Sequence, residues 1–443
     1  MIWISLPLGK LTRTACSAFV LAAVVALVVA PVPLQGQGAP VVSLCAALPY
    51  EEVGYLDGVK FKIRVPSNWN GTLLLYMQGF KTGPPPAEPA LVPYTLKDSQ
   101  PQLEATLLAQ GYALAASEVG VWDMQPKEEL TDSLALMTYF SGKVAVPARV
   151  IAWGNSLGGV TAVQMAEDHP RSIDGAIANC PGMLGWSRRT DVALDFAVAY
   201  AAAFGWPESW GPIGDLRAGL AADFNTDVAP RVVRPDATNR GKWEFIRLVM
   251  GYPAEAFWQA DPVTGTPGMF LGMWATTYMR EMMESGAGGP VATNIGRNYT
   301  LAPEEGTYLT GLSVNAGELL AKMNANNEIA ANWRAREYIK KYGDLRAMPR
   351  RPLLTMHNTL DCMADTRWQG VYRDEVEATG FSANLVQAYV KGVGHCGFSS
   401  IQLLTALKAM ERWLETGDKP YATSFPEADG FDNTFVPPVW PRR

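Results

Sequence analysis

"VIAWGNSLGGV", residues 150–160, runs from an apolar stretch directly into a cluster of small residues. Val150 to Trp153 have the composition of a buried strand, and "LGGVTAVQMAEDHP" (157–170) has helical spacing up to a stop at Pro170. Ser156 therefore stands in the turn between a strand and a helix, flanked at two residues' distance by Gly154 and Gly158. A turn this tight needs small neighbours, and it pushes the serine hydroxyl clear of the backbone at the helix N-terminus. Without that context the G-x-S-x-G pattern is a weak signal in a chain with 41 glycines.

Working outward, strand-length apolar segments alternate with helical patterns. "FKIRVPSNW" (61–69) and "GTLLLYMQG" (71–79) read as strands separated by an Asn-Gly turn. A helix over 101–111 ends at Gly111, a strand follows at 112–119, and 127–142 has helical spacing. After the helix at 157–170, "IDGAIANC" (173–180) reads as another strand. This alternation predicts an α/β chain: a mostly parallel sheet with helices on both faces. The rhythm stops over 183–345, which carries Trp, Phe, Tyr and Met at helical spacings, and resumes at "PLLTMHN" (352–358). A helix (366–379), a strand (384–392), a helix (399–417) and an irregular tail (418–443) complete the chain. The expected organisation is a sheet domain in two parts, 39–182 and 346–443, interrupted by a helical insertion at 183–345.

Ahead of this, Lys10 and Arg13 precede an apolar run and a Pro- and Gly-containing stretch ending near Gly38. That is the pattern of a cleaved secretory signal over residues 1–38 and predicts a secreted or periplasmic protein. A retained membrane anchor is the alternative; if the signal is cut, no stable membrane span remains. Forty-three acidic against 37 basic residues give a net charge of −6, with no basic cluster, so nucleic acid is excluded as a partner. The 48% hydrophobic content supports a large core. Three histidines and no C-x-x-C pair argue against a structural zinc site, and no metal is expected.

A serine hydroxyl needs a positioned base. His169 ends a helix, and His357 lies on a strand and reads as a packed or loop-ordering residue. His395, in the Gly-flanked loop "VKGVGHCGFSS" after the last strand, is the candidate base. Asp361 ends the neighbouring strand "LLTMHNTL" and is the candidate acid that fixes the base's tautomer, with Glu118 a weaker rival. The order Ser156, Asp361, His395 is the one expected for this motif.

With "GNSLG", "HNTLD" and "GVGHCGF" in place, the mature chain outside the insertion resembles the α/β-hydrolase superfamily. The resemblance implies an α/β-hydrolase fold with a large helical cap inserted after the sixth strand, and a serine hydrolase that needs no cofactor. "YMQGF" (76–80) is similar to the superfamily's oxyanion-loop segment, with Gln78 where a histidine often stands. It implies an oxyanion hole made by the backbone N–H groups of Leu157 and Phe80. The expected reaction is hydrolysis of an apolar or aromatic ester, from a small-molecule or oligomeric substrate, through an acyl-enzyme. A serine peptidase and a non-catalytic binding protein of the same fold are the alternatives. Trp186 and Gln78 are candidate substrate-binding residues, with Trp243 and Trp274 further cap tryptophans. Arg188 and Arg189 read as a solvated pair, or else as partners of a substrate carboxylate.

Export would remove Cys16 and leave Cys45, Cys180, Cys362 and Cys396. Cys362 follows Asp361 and Cys396 follows His395, so adjacent loops would bring them within disulfide range. A Cys362–Cys396 bond is therefore expected, with two free thiols, or pairing to Cys45 or Cys180, as the alternative. The arrangement is similar to the tannase and feruloyl esterase group, where a bridge ties residues beside the serine and histidine. Here Asn155, not a cysteine, precedes Ser156.

Overall fold

The computed structural model describes residues 45–80, 87–96, 100–118, 126–220 and 224–440, so the signal-like segment at 1–38 and Cys16 lie outside the described residues. Eight strands form one sheet: β1 (Tyr50–Leu56), β2 (Val59–Val65), β3 (Thr72–Met77), β4 (Ala113–Ser117), β5 (Arg149–Asn155), β6 (Gly175–Asn179), β7 (Leu353–Leu360) and β8 (Leu385–Val393). Their spatial order is β1-β2-β4-β3-β5-β6-β7-β8. The β1–β2 and β2–β4 pairs are antiparallel and every other pair is parallel.

The sequence pattern accounts for most of this order. β3, β4 and β6 are buried along their whole length, as inner parallel strands must be. β1 alternates exposed and half-buried residues, as an edge strand does. It closes on β2 through Asp57 (φ 50°) and Gly58 (φ 86°), a two-residue turn with positive φ at both positions. The Asn70-Gly71 turn does not make a hairpin: β4 lies between β2 and β3. β3, apolar on both faces, stays inside the sheet.

Helices cover both faces. On one face α2 (Pro126–Lys143), α3 (Leu157–Asp168) and the helix Arg367–Thr379 bury Leu136, Phe140, Val163, Met165, Tyr372 and Val376 against the sheet. On the other, α1 (Gln100–Ala109) and the helix Ser400–Thr416 bury Leu103, Leu107, Leu403, Leu407, Met410 and Trp413. The tail packs Phe425 and Phe431 onto that second core.

Between β6 and β7 the chain leaves the sheet and forms helices and short 3-10 turns, beginning with α4 (Trp186–Phe204). Its described part has an apolar core of its own, in which Tyr200, Trp210, Trp243, Phe245 and Phe257 are buried together. Trp243 belongs to that core, its ring centroid 5.6 Å from that of Tyr200.

Candidate active site

The strand–serine–helix turn forms as the sequence predicts. β5 ends at Asn155, α3 begins at Leu157, and Ser156 adopts φ 56°, ψ −114°. L-residues seldom occupy this conformation, and it persists only where the surroundings fix it. Here the Ser156 N–H donates to the carbonyl of Asn179 at 2.9 Å, and the Ser156 carbonyl accepts from Val160 at 3.0 Å. Gly154 and Gly158 face each other across the turn. A Cβ on Gly154 would lie 2.5 Å from the Gly158 carbonyl carbon, and one on Gly158 would lie 2.7 Å from the Gln78 carbonyl oxygen. The glycines are needed for contact, not for flexibility.

The other two residues arrive from the ends of β7 and β8. These strands pair in parallel up to His357↔Tyr389 and Asn358↔Val390, then shift register so that Leu360 meets Val393. The Gly394 N–H donates to the Leu360 carbonyl at 2.9 Å, which sets the Asp361 and His395 loops side by side. His395 Nδ1 lies 2.8 Å from Asp361 Oδ2, and His395 Nε2 lies 2.7 Å from Ser156 Oγ. An ionised carboxylate only accepts, so Nδ1 carries the proton and Nε2 is free to accept from the serine hydroxyl.

Asp361 is buried, and its Oδ1 accepts the backbone N–H groups of Met363 at 2.8 Å and Ala364 at 2.9 Å. Burial alone would raise this carboxyl. The His395 charge and hydrogen bonds from His357 and His395 outweigh it and hold the group well below the usual carboxylate range. Glu118, the rival acid, is buried at the end of β4, on the far side of β3 from β5.

His357 behaves as an ordering residue. It is fully buried, its Nε2 is 2.7 Å from the Ala364 carbonyl, and its Nδ1 accepts from Gln369 Nε2 at 3.1 Å. It thereby props the Asp361 turn. His169 is half-buried at the opposite end of α3 from Ser156.

Leu157 is the first residue of α3, and Phe80 follows the end of β3 by three residues. Both lie in one apolar cluster with Trp186 and Met279, and the Phe80 ring packs on Trp274 at 5.2 Å. Gln78 is buried, and its Nε2 donates to the Ala90 carbonyl at 2.8 Å, tying this segment to the following stretch of chain. Trp186 is also buried. Of Arg188 and Arg189 only the first is solvated: Arg188 makes a surface bidentate bond with Glu375 at 2.7 and 3.1 Å, and Arg189 is buried.

The disulfide differs from the expected one. Cys396 is bonded to Cys180, with Cα atoms 5.2 Å apart, and not to Cys362. Asp361 explains this, because its turn onto Met363 and Ala364 carries Cys362 away from His395 into contact with Ala256 and Leu271 of the inserted segment. Cys180 directly follows β6, has φ 46°, and donates its N–H to Met356 on β7 at 2.7 Å. Cys396, at φ 60°, turns back toward it. Cys362 remains a buried thiol whose pKa burial pushes up, so it is a poor nucleophile. Cys180, His395 and Cys396 are the group among the described residues with metal-ligand proximity, but the two sulfurs are bonded to each other.

One residue of the site gave no sequence signal. Asp261, fully buried in the inserted segment, accepts the backbone N–H of His395 on Oδ2. Its Oδ1 accepts the N–H groups of Val263 and Thr264, each at 2.8 Å. "DPVTG" is legible as a turn, but its partner lies 134 residues away.

No family model matches the chain. It is 23% identical over 421 residues to an o-phthalyl amidase from Xanthobacter agilis, covering 84% of this chain and 88% of that one. Feruloyl esterase B from Aspergillus oryzae matches with 14% identity and a TM-score of 0.37, covering 83% of this chain and 80% of that one. An epoxide hydrolase from Vigna radiata matches with 13% identity and a TM-score of 0.38, covering 83% and 97%. The fold assignment rests on the strand order and the strand–serine–helix turn, not on these likenesses.

Proposed function

From the premise that this chain has the α/β-hydrolase fold, we propose that it hydrolyses an acyl bond by nucleophilic catalysis at Ser156. The observation that supports this best is the continuous chain from Ser156 Oγ to His395 Nε2 at 2.7 Å and from His395 Nδ1 to Asp361 at 2.8 Å.

In this reading Ser156 Oγ attacks the substrate carbonyl carbon while its proton passes to His395 Nε2. Asp361 holds the tautomer and stabilises the imidazolium that forms. The N–H groups of Leu157 and Phe80 receive the developing oxyanion, and one such donor contributes about 3 kcal/mol to lowering the barrier. Collapse of the tetrahedral intermediate breaks the bond to the leaving group, which takes the proton from His395. Water then attacks the acyl-serine by the same route and regenerates the hydroxyl.

An ester is the first reading. An amide is the second, favoured by the likeness to a protein named as an amidase. Export to an oxidising compartment is part of the proposal, supported by the Cys180–Cys396 bond and the signal-like N-terminus. No helix among the described residues is long and apolar enough to cross a membrane. A fluorophosphonate probe tests the nucleophile: wild type should be labelled at Ser156, and Ser156→Ala should not react. Nitrophenyl esters run beside the matching nitroanilides separate the ester reading from the amide one.

A further inference from the structure

Asp361 is addressed by two imidazoles. His395 Nδ1 lies 2.8 Å from its Oδ2, and His357 Nε2 lies 3.3 Å from the same oxygen. Both rings are buried, and the other carboxylate oxygen is taken by the N–H groups of Met363 and Ala364. Two basic rings thus share one carboxylate, while the proposed reaction needs one of them to take up a proton. The hydrogen bonds around His357 separate the two roles. His357 Nε2 faces the Ala364 carbonyl at 2.7 Å, and a carbonyl only accepts, so Nε2 carries the ring proton. His357 Nδ1 faces Gln369 Nε2 at 3.1 Å.

Gln369 is the third residue of the helix Arg367–Thr379 and is fully buried. Its Nε2 also donates to the Pro181 carbonyl at 3.2 Å, and that carbonyl decides which end of the amide is the NH2. The other end, Oε1, accepts from Thr355 Oγ1 at 3.0 Å and from Gln387 Nε2 at 3.3 Å. Gln387 is oriented in turn by the Gln369 backbone carbonyl, to which its Nε2 donates at 2.9 Å. An amide side chain offers two donors and two acceptor positions, and all four are used here. Turned over, it would set its oxygen against the Pro181 carbonyl and its NH2 against that of Gln387. The amide therefore has one orientation, and a proton on His357 Nδ1 would point at an N–H that cannot turn away. His395 is placed differently, since its second nitrogen faces the Ser156 hydroxyl.

We propose that Gln369 is a positioning residue for the acyl transfer: by occupying His357 Nδ1 it fixes His357 as an Nε2–H donor to Asp361 and leaves His395, of the two rings, to receive the serine proton. The inference rests on the reading of Ser156 as the nucleophile. Asp361 then meets four fixed N–H donors, so its Oδ2 stays aimed at His395 as charge appears on that ring. The same amide reaches the other side of the site. Pro181 follows Cys180, and Cys180 is bonded to Cys396, the neighbour of His395. One buried side chain thus braces the acid loop through His357 and the base loop through the disulfide.

The chain has three histidines, so the ring nitrogens of protein carrying isotope-labelled histidine can be assigned with His357→Gln and His169→Gln. In full-length Ser156→Ala protein, long-range proton–nitrogen spectra should show His357 with its proton on Nε2 and a bare Nδ1. Gln369→Leu in that background should move the proton to Nδ1 or populate both tautomers. A proton on Nδ1 in the parent, or a His357 spectrum untouched by Gln369→Leu, overturns the proposal. With nitrophenyl acetate as substrate, Gln369→Leu should lower kcat at least tenfold and change KM less than threefold, the scale of one lost hydrogen bond to a charged group. Gln369→Glu keeps the shape without the paired donors and should lose as much; wild-type kcat in that variant would reduce Gln369 to filling space. His357→Gln, which can place an N–H where Nε2 stands, should retain more kcat than His357→Leu, and equal losses count against the donor role. If Gln369→Leu does not fold, Gln369→Glu carries both measurements. The spectra need no turnover, so they decide the tautomer even where fluorophosphonate labelling of Ser156 has failed. Labelling at Ser156 with wild-type kcat in both Gln369 variants removes the positioning role and leaves the nucleophile standing.

Discussion

The carboxylate of Asp261 accepts the backbone N–H of His395, so a residue of the inserted helical segment holds the loop that carries the proposed base. Pro262 packs against the same loop: a Cβ on Gly394 would lie 3.0 Å from the proline ring. Gly394, at φ 143°, admits this approach. The insertion is thus bonded to the proposed machinery.

Asp261→Ala should leave the His395 N–H unpaired in a buried setting, at about 1.5–3 kcal/mol for a bond to a charged group. The expected result is a kcat reduced tenfold or more with a smaller change in KM, and slower fluorophosphonate labelling of Ser156. Asp261→Asn, which can still accept through its amide oxygen, should recover part of both. Equal kcat for wild type and Asp261→Ala would remove Asp261 from the positioning role.

Asp361 makes a prediction about pH. A carboxyl whose folded pKa is depressed contributes stability that is complete above the unfolded value of about 4 and is lost only as pH falls through the lower folded value. Since Asp361 is held well below the usual range, it stays ionised through all mildly acid conditions. A loss of kcat/KM in mild acid is therefore not owed to Asp361, and the proposed mechanism assigns it to the base, His395. The profile should show a one-proton acid limb with the large ionisation enthalpy of an imidazole, measured by repeating it at several temperatures. A limb with the near-zero enthalpy of a carboxyl would contradict this. Asp361→Asn, which favours the wrong tautomer, should lower kcat by roughly 10³–10⁴.

How much of this was legible from sequence follows from the range of each interaction. The strand–Ser156–helix turn is local, and "GNSLG" states it outright. Asp361 and His395 were also legible, because each follows a strand and parallel neighbours bring their C-terminal ends together. The Cys396 partner was not legible. Sequence adjacency to Asp361 favoured Cys362, but the Asx-type turn at Asp361 rotates that cysteine toward Ala256 and Leu271. β1 was missed for a different reason: "YEEVGYL" carries two glutamates and a glycine, and only its alternation and the Asp-Gly turn mark it. Asp261 is the opposite case to Ser156, since its partner lies 134 residues away.

The disulfide can be tested directly. Non-reducing peptide mapping should give a Cys180–Cys396 cross-linked peptide, with Cys362 alkylated only after unfolding. The bond joins residues 216 apart. In the chain-entropy model a loop of that size is worth on the order of 5 kcal/mol before native strain is subtracted. Cys180→Ala paired with Cys396→Ala should therefore lower Tm markedly and, because Cys396 adjoins His395, also lower kcat. Recovery of a Cys362–Cys396 peptide would restore the pairing that its position beside Asp361 suggested.

Two glycines should respond to alanine in opposite directions. Gly142, near the end of α2, has nothing within 4 Å of where a Cβ would stand. Alanine there gains helix propensity and loses less backbone entropy on folding, so Gly142→Ala should stabilise the protein by about 0.5–1 kcal/mol without altering kinetics. Gly158, in the first turn of α3, has the opposite environment, since its Cβ would press on the Met77 carbonyl and lie 2.7 Å from the Gln78 carbonyl oxygen. These are backbone atoms of the segment leading to Phe80, so they cannot yield without moving the proposed oxyanion donor. Gly158→Ala should then cost several times what Gly142→Ala gains, and should reduce kcat even where the protein remains folded. Equilibrium denaturation gives the stabilities, and fluorophosphonate labelling of the folded fraction gives the effect on the site. A Gly158→Ala variant with wild-type labelling and stability would mean that the elbow and the Phe80 segment are not in the contact described.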